Sequence, residues 1–203
     1  MFKPNKTAVA GLICGLFVTS AALAQDATLP DSLTGDVSYD PDTRNVSGVK
    51  FSLFEDQDLK GNNHNLTIST PSGNDYWTRL IAAGTTDVTF SNIGTLKIED
   101  HATRPWNQQD GLIWAKEQYQ LLFQSLGSLD VVSDTAIPIH SFGGTITVEA
   151  QSISLKSTNN AVMVQPISSN SGVVSLTASG DITIHSEESS PVVAAVFGGL
   201  TAS

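Results

Sequence analysis

Four histidines, two carboxylate clusters and a few large aromatics are the residues of this chain with chemistry to offer. The histidines are His64, His101, His140 and His185. No two of them stand four apart or as HxH, the spacings that aim two imidazoles at one metal ion. They read as scattered surface residues. Serine is abundant, but no GxSxG elbow holds one beside a base, and no glycine-rich phosphate loop is present. The carboxylates gather at Asp56 and Asp58 and at Glu187 and Glu188. Those positions are polar turns, and Asp130 and Asp181 stand alone, so solvation accounts for them. Tyr76, Trp77, Trp106 and Trp114 offer apolar ring faces of the kind that pack on sugars. Trp77 and Trp106 fall in long polar inserts and are the candidate ligand contacts. No catalytic residue, metal ligand or cofactor is expected.

The elements that would position these residues form a repeat, and repeats decide the architecture before anything else. One class of strand is anchored at Leu66 and Ile68, Leu96 and Ile98, Leu129 and Val131, Ile153 and Leu155, and Ile182 and Ile184. The steps between first members are 30, 33, 24 and 29 residues. A second class lies just upstream: Val88 and Phe90, Leu121 and Phe123, Ile146 and Val148, Val174 and Leu176. Its second member precedes the next anchor by 6, 6, 5 and 6 residues. A third class follows a polar turn, at residues 80–83, 112–114, 137–139, 162–164 and 192–196. The step after the anchors varies most, at 70–79 and 100–111, which places the inserts on one edge, where binding surfaces form.

Three strands of about five residues and three turns of about three make a coil of about 24. Stacking such coils gives a right-handed parallel β-helix in which alternate side chains point inward. An antiparallel β-sandwich is the alternative, since it too has short alternating strands. It does not require the near-constant link to the anchors. The segment 115–126 has helix-forming residues, but the repeat frame places Leu121 and Phe123 on a strand.

The chain opens with a leader. Lys3 and Lys6 precede an uncharged apolar run, and Ala22-Leu23-Ala24 is a small-residue cleavage signal. Residues 1–24 are therefore expected to be a cleaved signal peptide, with the mature chain beginning at Gln25. Residues 25–65 read as a linker or cap, apart from a short strand at Val49, Phe51 and Leu53, and 66–203 as coils. The one cysteine, Cys14, lies in the leader, so the coils hold by packing and backbone pairing rather than by disulfides. The leader carries two of ten basic residues and none of twenty acidic ones, leaving 8 − 20 = −12 on the remainder. A field of that sign repels nucleic acid and anionic membranes.

The leader, the cysteine-free acidic remainder and Ser/Thr/Asn/Gly-rich coils such as GTITVEAQSISLKS and ASGDITIHS resemble a bacterial autotransporter passenger domain. The resemblance implies passage through the periplasm, an outer-membrane β-barrel in the same parent protein, and display at the cell surface or outside the cell. It implies adhesion to a host or neighbouring-cell glycan or protein rather than catalysis. The alternative is a secreted polysaccharide lyase or hydrolase on the same fold. No barrel follows the coils, so the chain is expected to be an N-terminal fragment, lacking a cap and prone to end-to-end self-association.

Overall fold

The computed structural model describes residues 31–39, 54–70, 81–101, 112–116, 118–134, 138–158, 167–186 and 196–202. Every strand pairing among them is parallel, and no helix is present among them. The fold is all-β, a parallel β-solenoid. The sandwich is excluded by the two strands that would have made a hairpin. Phe90 pairs with Leu59 on one side and Phe123 on the other, while Leu96 pairs with Leu66 and Leu129. Neither pairs with the other, because the chain turns a corner between them.

Three columns of strands result. In the first, Val37, Leu66, Leu96, Leu129, Ile153 and Ile182 stack in register. In the second, Val88, Leu121, Ile146, Val174 and Leu200 do the same. In the third, Ile81, Ile113, Ile139, Ile167 and Val196 are aligned. The alternation of the sequence is the cause. In Thr95–Asp100, Leu96 and Ile98 are fully buried and their neighbours are half-exposed. Leu121–Ser133 and Ile146–Ser157 each run continuously through two columns. The second column continues at Leu200, Thr201 and Ala202, which pair with Val174, Ser175 and Leu176.

Stacking begins earlier than Leu66. Val37 and Tyr39 pair with Leu66 and Ile68, and Leu59, in the segment read as a linker or cap, is fully buried and belongs to the second column. Leu33 is buried as well. These residues sit singly, in or beside short strands, among acidic and turn-forming neighbours, so they carry no periodicity of their own. The third column is also displaced from its expected positions. It uses Ile139–Ser141 rather than 137–139, and Ile167 stands where 162–164 was expected. Its inward positions include Ser141 and Ser169, both fully buried, and polar residues there hide the alternation. The leader, the strand expected at 49–53, residues 162–164 and residues 191–195 lie outside the described residues.

Candidate functional site

The corners between columns are built from side chains that bond across coils. At the entry to the first column, the Asn65 N–H and Nδ2 donate to the two oxygens of Asp36, at 2.9 and 3.1 Å. Asn65 Oδ1 accepts from the Thr95 N–H at 2.8 Å, and the hydroxyls of Ser128 and Thr95 are 3.0 Å apart. One ladder thus crosses four coils. The Asn65 N–H is the main reason that the exposed Asp36 carboxyl titrates below its ordinary range; His64, at 3.7 Å, adds to it. At another corner Asp56 caps a turn. It accepts from the N–H groups of Gly84, Thr85 and Thr86 and from the Thr85 hydroxyl. Partial burial pushes its carboxyl up, but these bonds outweigh that and lower it.

The third corner, at the exit from the first column, carries the chemistry-bearing residues. Asp100, Ser133 and Ser157 stack in register and are buried, at 1% exposure or less. The next residue of each coil is His101, Asp134 and Thr158. His101 Nδ1 lies 2.9 Å from Asp134 Oδ2, and the Thr158 hydroxyl donates to Asp134 Oδ1. The backbone makes the same ladder, with Asp134 N–H donating to the Asp100 carbonyl and Thr158 N–H to that of Ser133. Both the imidazole and the carboxylate are about one-third exposed, at 32% and 31%.

Imidazole, carboxylate and hydroxyl are the components of a nucleophile triad, but here they stand in the wrong order. Activation of a hydroxyl needs the imidazole next to it and the carboxylate behind the imidazole. At this corner the carboxylate lies between the other two and accepts from both. The cluster ties three coils together and holds the exit from each in a fixed place. The long insert that carries Trp106 follows His101, and the one that carries Trp77 follows Thr70, one coil before the cluster. Both aromatic candidates lie outside the described residues. His101 and Asp134 were not singled out as partners in the sequence. The signal was there, because His101, Asp134 and Thr158 each stand five residues after an anchor.

The remaining candidates are placed as follows. His140, expected at the surface, is fully buried; its ring packs edge-on against Phe142 at 4.9 Å, and Trp114 meets the same ring at 5.7 Å. Its strand position points away from the coil, into this aromatic cluster. His185 pairs with Lys156 on the first column and is exposed. Asp130, read as isolated, registers with Lys97. The Lys97 ammonium sits 2.7 Å from Glu99, whose bond and charge, with Asp130 beyond, raise its pKa. Among the described residues no three His, Cys, Asp or Glu side chains are grouped to hold a metal ion. No helix of the described residues is long and apolar enough to cross a membrane. No family model, curated protein or solved structure matches the chain.

Proposed function

We propose that this chain is an exported, non-catalytic scaffold that presents its inserts at a bacterial cell surface to a glycan or protein of a host or neighbouring cell. One observation carries the reading: the His101–Asp134–Thr158 ladder locks the exits of three successive coils, while its order puts the carboxylate, not the imidazole, against the hydroxyl. The site is built to fix where chain segments emerge, not to activate a nucleophile. The leader and the cysteine-free acidic coils support export, and a partner barrel in the same parent protein would hold the solenoid outside the cell.

Two measurements test this. In the natural host, the chain should be cleaved by protease added to intact cells, and its N-terminus should be Gln25. A chain confined to the cytoplasm and beginning at Met1 sinks the proposal. Cells carrying the protein should bind a surface that cells lacking residues 102–110 do not, with the stacked coils retained in both. Release of reducing ends from polysaccharides that stops on Asp134→Asn would instead make the chain an enzyme.

A further inference from the structure

The link from second to first column has one odd member. It spans six residues from Phe90, Phe123 and Leu176 to the next anchor, but five from Val148 to Ile153. The register shows where the residue is missing. Val148 pairs with Phe123 and Ala150 with Leu126, so Glu149 alone faces Gln124 and Ser125. The coil before therefore bulges relative to its neighbour. To make that corner, Ser125 takes φ 54, in the left-handed region. Asn92 makes the preceding corner at φ 53. Asparagine is at home in that conformation and serine less so, so Ser125 holds local strain of the kind found at ligand sites.

The shorter corner also leaves room. A notch of about 300 Å³ opens there, lined by Ser125, Leu126, Glu149, Ala150 and Gln151. Leu126 is buried and closes its floor, and Ala150 is half-buried. Ser125, Glu149 and Gln151 are exposed around it. They present a hydroxyl, a carboxylate and a carboxamide.

We infer that this notch is a subsite for one neutral sugar ring. Vicinal hydroxyls donate to a carboxylate and both donate to and accept from a carboxamide, so the Glu149 and Gln151 pair suits a diol. Ala150 offers the small apolar contact that a ring face needs. The volume lies at the bottom of the range for small-molecule sites, about 300–1,000 Å³, which suits a single ring. Glu149 and the acidic chain disfavour an anion. One carboxylate is too few for a hard cation, which takes about six to eight oxygens. As a subsite for glycan the notch deepens the scaffold reading and rests on it only for the ligand's source.

The test is an amide NMR titration of the ¹⁵N-labelled full chain with the methyl glycosides of glucose, galactose, mannose and N-acetylglucosamine. At least one should shift the Ser125, Leu126 and Gln151 amides with a Kd of about 1–10 mM, the weak affinity expected of a single ring. Gln151→Ala and Glu149→Gln, both at exposed positions, should each weaken it at least about tenfold, 1.4 kcal/mol. A serine inserted between Ala150 and Gln151 restores the six-residue corner and should abolish it. The inference is overturned if no glycoside shifts these amides, if the shifts survive both substitutions, or if methylguanidinium binds there more tightly than any glycoside. The outcome is separate from that of the scaffold reading. A cytoplasmic chain that binds a glycoside here keeps this site and loses the scaffold, and a surface-exposed chain that binds none does the reverse.

Discussion

A side chain on Gly127 would run into the carbonyl oxygen of Gly94, its counterpart one coil earlier. That oxygen cannot easily retreat, because it accepts the Ser128 N–H at 2.8 Å. The spacing of stacked coils, about 4.8 Å, leaves no room for a methyl group pointing along the stack at this corner. Gly127→Ala should therefore lower stability by about 1–3 kcal/mol, the range for overpacking against a rigid neighbour. Gly35→Ala meets nothing within 4 Å and should change it by less than about 0.5 kcal/mol. Urea denaturation of the two variants checks this. Equal effects would mean that the corner yields.

The Asp56 cap gives a pH dependence. Its carboxyl is held below its ordinary range in the folded chain, so its stabilisation is present at neutral pH and is lost as pH falls below about 4 and the group protonates. Asp56→Ala should cost about 1–2 kcal/mol at pH 7, allowing for solvent screening of a partly exposed group. The gap between wild type and variant should narrow at pH 3. A gap that stays constant from pH 7 to pH 3 would show that the charged form does not hold the turn.

The exit corner makes a separate prediction. His101 and Asp134 sit about one-third exposed, at 32% and 31%, so solvent weakens their pairing. A double-mutant cycle of His101→Ala and Asp134→Ala should give a coupling of about 0.5–1 kcal/mol. Thr158→Val should weaken the same corner without removing that coupling, because Asp134 uses its other oxygen for His101. Loss of the coupling in the valine background would show that the three groups act as one unit.

Much of this was legible in the chain, and the reasons are particular. Leu96, Leu129, Ile153 and Ile182 alternate with polar residues and recur at a near-constant distance from a second apolar pair, so two columns and their register could be read directly. The bulge beside the five-residue link at Val148 needed the register to be seen. The third column was harder because Ala83, Ala115, Ser141 and Ser169 fill its inward positions, and small or polar residues read as turn. The first coil was harder still. Leu33, Val37 and Leu59 are single apolar residues in acidic surroundings, and only pairing with later coils explains their burial. The exit ladder needed the register before residues 24 to 33 apart could be seen as neighbours.

Phe90 and Phe123 give the last prediction. They are in-register partners on successive coils, fully buried, with ring centroids 4.8 Å apart and planes 10° from parallel. Their separation is the coil spacing itself, so the stack is imposed by backbone pairing and each ring fills the layer of its own coil. Phe123→Ala removes one layer, and the parallel strands above and below cannot close over it without breaking register. The cost should be about 3–5 kcal/mol. A solenoid transmits such damage mainly to its nearest neighbours. Hydrogen exchange should therefore quicken first at 88–91, 121–124 and 146–148, while amides at 182–186 keep their wild-type protection at mild denaturant. Phe123→Leu keeps most of the volume and should cost less, with the same spatial pattern. Uniform loss of protection along the whole chain would mean that the coils unfold as one cooperative block and that the neighbour-by-neighbour account of this stack is wrong.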